Sequence, residues 1–205
     1  MWRGFCFFIS FLFLCPAFAN DCVKYKKTPN VKIENPEWKK TIKQSDKELD
    51  LALHGHVMAR MMIGNSIQVE TLFIKKGFCV SVTDINVIFG YDDFAVEIDK
   101  NYEPGSCAYN AVMEHEQKHI DVYLALIDEY KDDLEKAAQV AADSIMPEFV
   151  KTQSEIGTAI EKLNEKFQSH PEIVLIKQKI MAEQEIRNKK IDDQDDGAKL
   201  LECFK

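Results

Sequence analysis

Hydrophobic and polar positions alternate along the middle of the chain and then change period. Ile67, Val69, Thr71 and Phe73 alternate with polar neighbours, as do Val80 and Val82, then Ile85, Val87 and Phe89, then Phe94, Val96 and Ile98. Period two over short runs marks antiparallel strands with one buried face. Gly64-Asn65, Lys76-Gly77 and Gly90-Tyr-Asp-Asp93 separate the runs and are expected to be turns, the last closing a hairpin. Near Cys107 the period lengthens to about 3.6. No Gly or Pro lies between Ala108 and Pro147, which predicts one very long helix or two joined without a visible break. Pro147 and His170-Pro171 punctuate two further helical segments, 148 to 168 and 172 to 192, whose charges suit the solvated faces of a helical hairpin. The fold class is therefore α+β: a small antiparallel sheet packed on a helix, followed by a long helical C-terminal half.

The amino-terminal part is patterned differently. Residues 1 to 19 run from Arg3 through an apolar stretch to Pro16-Ala-Phe-Ala19, the form of a secretory signal peptide cut after Ala19. Its apolar run is short for a membrane span, so no stable membrane insertion is expected after cleavage. From Asp21 to Trp38 the expectation is a loose lead-in with one strand at Val31 to Ile33. Ser45-Asp-Lys-Glu48 is a capping box that predicts a short helix over 46 to 54, closed by Gly55. His54 and His56 flank its end and read as surface histidines. The chain then divides into the signal peptide (1 to 19), an α+β domain (20 to 146) and a helical extension (147 to 205).

Charge and cysteine content narrow the setting. The net charge is −8, and loss of Arg3 makes the mature chain one unit more acidic, which argues against nucleic acid as a partner. Cys22, Cys79, Cys107 and Cys203 remain after cleavage, an even number that suggests two disulfides in an exported, secreted or periplasmic protein. Of three possible pairings, the expected one is Cys79 with Cys107, both near the central strands, and Cys22 with Cys203, tying the ends together. No pair has the CxxC spacing of a zinc ligand set.

The most specific chemistry lies in the long helical stretch, where His115-Glu116-Gln117-Lys118-His119 forms an HExxH motif. Residues four apart share one face of a helix, so His115 and His119 can aim two imidazoles at one Zn²⁺. Glu116 lies about 100° round from His115, placed to reach a water on the metal rather than the metal itself. Val112, Val122, Tyr123 and Leu126 share the histidine face and predict an apolar surround. The reaction class is metal-assisted hydrolysis, with His115 and His119 as ligands and Glu116 as general base.

His115, Glu116 and His119 resemble the active-site helix of the zincin metallopeptidases. The wider run of Gly90-Tyr91, Tyr102, Gly105-Ser-Cys-Ala-Tyr109 and Glu114 to His119 is similar to small secreted bacterial proteins grouped as predicted Zn-dependent proteases of the DUF922 type. The resemblance implies Zn²⁺ as cofactor, a protein or peptide substrate and the three residue roles just given.

A catalytic zinc needs a third protein ligand. Ala125 stands where a metzincin histidine would be, so that pattern fails. Glu135, Asp143, Glu148, His54 and His56 remain open, while Asp192-Asp-Gln-Asp-Asp196 reads as an acidic loop ending a helix. Two functions follow: a secreted zinc-dependent metallopeptidase-like hydrolase, or a non-catalytic, disulfide-stabilised envelope protein whose C-terminal helices bind a partner.

Overall fold

The computed structural model describes residues 22–49, 54–194 and 197–205; the expected signal peptide, 1 to 19, lies outside these residues. The chain forms β1 (Asn30–Glu34), β2 (Lys39–Gln44), β3 (Gly55–Ile74), β4 (Gly77–Ile98), α1 (Cys107–Ser144), β5 (Glu148–Val150), α2 (Ile156–Gln168), α3 (Pro171–Gln194) and α4 (Ala198–Glu202). The architecture is α+β, with a five-stranded sheet and a long helical C-terminal half. The sheet is mixed. β3 pairs with β4 antiparallel along one edge, while β1 and β2 pair with the other edge in parallel and β5 pairs there antiparallel.

The residues expected to turn at Gly64-Asn65 and Gly90 to Asp93 lie inside the two long strands, and only Lys75-Lys76 makes a turn. The breaks in phase are bulges. Ala59 pairs with Phe94 and Met61 with Tyr91, so Asp92 and Asp93 stand opposite Arg60 alone, which ion-pairs with Asp92. Gln68 pairs with Asp84 and Val69 with Val82, leaving Thr83 extra. One inserted residue reverses the side-chain phase. The buried set therefore moves from Val80 and Val82 to Ile85, Val87, Phe89 and Tyr91, then to Phe94, Val96 and Ile98, all on one face of one strand. At Gly90 an added Cβ would stand 2.7 Å from Pro36 Cδ, so this glycine lets the β1–β2 connection cross the sheet closely.

The helix expected over 46 to 54 is absent from its described residues, and 50–53 lie outside them. The Ser45 N–H instead donates to Ile98 O at 2.7 Å, adding a rung to the ladder, and the Leu49 N–H donates to Asp99 Oδ2 at 2.6 Å. Tertiary partners for the backbone thus outcompete a local cap.

α1 is one helix of 38 residues, capped by Ser106, whose Oγ accepts from the Tyr109 N–H at 3.2 Å. Val112, Ile120, Tyr123, Leu126, Ile127 and Leu134 bury its inner face on the sheet. α3 runs antiparallel along it: Lys179 meets Asp133, Arg187 grips Glu129 through two bonds of 2.6 and 2.8 Å, and Asn188 meets His119. Ala159, Leu163 and Phe167 of α2 and Ile173, Ile176 and Ile180 of α3 join the same hydrophobic core. Glu148 to Val150, expected to be helical, forms the short edge strand β5, and Glu148 is held by Lys162 and Lys166.

The disulfides are Cys22–Cys79 and Cys107–Cys203, not the expected pairing. Cys79 lies near the start of β4 and Cys107 beyond its end, separated by a strand some 60 Å long at about 3.3 Å per residue. Parallel pairing of β1 carries the chain back from Asn30 to bring Cys22 beside Cys79, and antiparallel α3 returns the C-terminus to the start of α1. Among the described residues no helix is long and apolar enough to cross a membrane.

Candidate metal centre

His115 and His119 lie one turn apart on α1, with their Nε2 atoms 3.1 Å from each other. Asp192, in the last turn of α3, completes a triangle: its Oδ1 is 3.1 Å from His119 Nε2 and 3.4 Å from His115 Nε2. Two ligands bonded to zinc at about 2.0–2.1 Å in a tetrahedron stand roughly 3.3 Å apart. All three edges match that separation.

The hydrogen-bond chemistry also asks for a cation. His119 is buried, at 7% exposure, and its Nδ1 lies 2.9 Å from Asn188 Oδ1, an acceptor. The proton of a neutral imidazole therefore sits on Nδ1, which leaves Nε2 with a lone pair. That lone pair faces a carboxylate oxygen at 3.1 Å. Two acceptors at this separation repel unless a positive charge, a proton or a metal ion, stands between them. Asn188 also hydrogen-bonds the Tyr123 hydroxyl, which ties the imidazole to the core of α1 and α3.

The Glu116 carboxyl lies against the first residues of β3, close enough to His119 and Asp192 to feel their charges. It accepts from the Val57 N–H, and a Cβ on Gly55 would lie 3.4 Å from Oε1 and 2.4 Å from Val112 Cγ1. Glycine at 55 is what allows strand and helix to approach this closely. Only 3% of Glu116 is exposed, and burial pushes its carboxyl up to about 7, opposed by attraction to His119 and reinforced by the charge on Asp192. A carboxyl poised near neutrality beside two histidines is suited to accept and return a proton.

None of the other acids or histidines considered reaches the triangle. His54 Nδ1 bonds the Tyr102 hydroxyl at 2.7 Å, and His56 faces Glu97 at 3.4 Å. Glu148 is taken by its two lysines, and Asp143 accepts from Gln139 at 3.0 Å. Glu135 lies exposed on α1, some 24 Å along the axis from His119 at about 1.5 Å per residue. Asp192, read from sequence as part of an acidic loop, is the third member of the only such group among the described residues. Its signal was faint: Asn188 and Asp192 are spaced by four on one helical face, but α3 carries many polar residues so spaced. Comparison with known proteins gives no match to a family model, a curated protein or a solved structure.

Proposed function

We propose that the chain is an exported, zinc-dependent hydrolase acting on peptide bonds, with His115, His119 and Asp192 as ligands and Glu116 as general base. The observation that carries this reading is the ligand triangle, with edges of 3.1, 3.1 and 3.4 Å beside a buried carboxyl. Zn²⁺ bound there would supply Lewis-acid activation of a water and of the scissile carbonyl. His115 and His119 present their Nε2 atoms, Asp192 its Oδ1, and Asn188 holds the His119 tautomer that this requires. Glu116 takes a proton from the attacking water on its carboxylate and returns it to the leaving amine, while the apolar surround of Val112, Tyr123 and Leu126 limits competing water. Two disulfides favour an oxidising compartment, outside the cytosol.

A second reading, a disulfide-tied scaffold whose helices bind a partner, draws on Leu175, Met181 and Ile186, which stand exposed on α3. Metal analysis of the mature protein separates the two. The hydrolase binds one zinc per chain, loses it in His115→Ala and His119→Ala, keeps it in Glu116→Gln, and in that last variant loses roughly 10² to 10⁴ in turnover on a peptide library. A protein without zinc after metal-replete purification, or hydrolysis unchanged by Glu116→Gln, refutes the proposal.

A further inference from the structure

One face of α3 carries Lys177, Met181, Gln184 and Asp192 at helical spacing, and across from it stand Met61 and Ile63 of β3. Together they line an open groove of about 680 Å³. Its two ends differ. At one, Asp192 belongs to the ligand triangle. Toward the other, α2 crosses β3, with Asn65 bonded to Asn164 at 2.6 Å and to Gln168 at 3.2 Å, so α2 bounds the groove just beyond Ile63. Between them the Tyr91 hydroxyl donates to Gln184 Oε1 at 2.8 Å and fixes the floor. The groove is thus closed at one end and leads to the candidate metal centre at the other.

Lys177 lies toward the closed end. It is half-buried, has no acceptor among the described residues, and burial pulls its ammonium below the usual lysine value. Of the other charges along the groove, Lys189 pairs with Asp193 at 3.0 Å, Asp192 faces the two histidines, and Glu185 is exposed to solvent, where water screens it. A partly desolvated cation without a counter-ion is unfavourable, and a carboxylate entering the groove would relieve it. From Lys177 to Asp192 the axis runs roughly 22 Å at about 1.5 Å per residue. An extended peptide covers that length in about six or seven residues at about 3.3 Å each.

We infer that this groove holds the substrate of the metal centre, and that Lys177 selects extended peptides bearing a carboxylate about six or seven residues from the bond cleaved. The inference rests on the metallopeptidase reading for the bond cleaved. The recognition of a carboxylate rests on the groove and Lys177 alone. The carboxylate is a chain terminus or an acidic side chain, chemically equivalent for an ammonium.

The test uses the zinc-loaded full chain with Glu116→Gln, so that peptides bind without turnover. Five nonapeptides with the same apolar centre serve as probes: one with a free C-terminal carboxylate, one neutral with both ends blocked, two blocked peptides with Asp near either end, and one blocked peptide with Lys in place of Asp. Calorimetry should show at least one acidic probe binding about 10-fold tighter than the neutral one, in line with a charge-assisted hydrogen bond. Which acidic probe wins identifies the source of the carboxylate and the direction of the chain. Lys177→Met should abolish the preference while leaving zinc content and neutral-probe affinity unchanged, and Lys177→Glu should reverse it in favour of a Lys-bearing probe. Equal binding of all probes, or a preference that survives Lys177→Met, overturns the inference. A preference that tracks Lys177 in a protein whose parent hydrolyses none of the probes upholds carboxylate recognition and overturns the hydrolase reading. Hydrolysis without preference does the reverse.

Discussion

The Nδ1 of His119 lies 2.9 Å from the Oδ1 of Asn188, 69 positions further along the chain, and this contact decides which imidazole nitrogen faces the ligand triangle. With the proton held on Nδ1, the Nε2 lone pair is left for a metal. α3 therefore contributes both a candidate ligand, Asp192, and the group that orients another, one turn apart on one face.

Removing that orienting group should weaken the site without removing a ligand. Asn188→Leu, close to isosteric, is expected to lower zinc affinity about 10- to 100-fold, measured by competition with a chromophoric chelator. An affinity within twofold of wild type would show that the hydrogen bond plays no part.

Asp192→Ala removes a proposed ligand outright. Structural zinc sites bind with about 10–16 kcal/mol shared among their ligands, so loss of one is expected to cost affinity on the order of 100-fold or more. Asp193→Ala, next to it but paired with Lys189, is the control and should leave affinity unchanged. Equal behaviour of the two variants would exclude Asp192 from the site.

In the zinc-free protein Glu116 makes stability depend on pH. Its folded carboxyl lies at about 7, above the ordinary 4.5, so between these values the folded state keeps a proton that the unfolded chain has released. Stability then falls as pH rises through this window and stays low above it, by up to about 3 kcal/mol. Urea midpoints at pH 5 and pH 8 in the presence of chelator should differ more for wild type than for Glu116→Gln. The same difference in both would assign the pH dependence to other groups.

At Gly55 an added methyl has no room, because Val112 Cγ1 would lie 2.4 Å away. Gly55→Ala should force β3 and α1 apart, with a loss of roughly 1–3 kcal/mol, and pull the Val57 N–H from Glu116. Gly64→Ala, where nothing lies within 4 Å, should cost little by comparison. Thermal unfolding of the pair checks this, and similar melting temperatures would contradict the close approach.

Non-reducing peptide mapping should recover Cys22 joined to Cys79 and Cys107 joined to Cys203. Replacing either pair by serine is expected to cost about 2–5 kcal/mol. Recovery of Cys79 joined to Cys107 would contradict the strand order as well as the pairing, since β4 lies between them.

Much of this protein was written locally. The period-two runs of β4 named residues that face the core, whereas the run in β3 ends on Thr71 and Phe73, which stand exposed, and the period near 3.6 after Cys107 named a helix carrying His115, Glu116 and His119 in the expected spacing. Such patterns are legible because neighbours a few residues apart in one element share a face whatever the rest of the chain does. The meaning of the breaks between runs was not local: a glycine and two aspartates at 90 to 93 make a turn or a bulge equally well, and pairing across Arg60 decided for the bulge. Nor was the disulfide pairing or the third member of the triangle. Cys203 reaches Cys107, and Asp192 reaches His119, only because α3 packs antiparallel on α1, and that packing is set by the summed burial of apolar residues on both helices, which leaves no mark on any single aspartate.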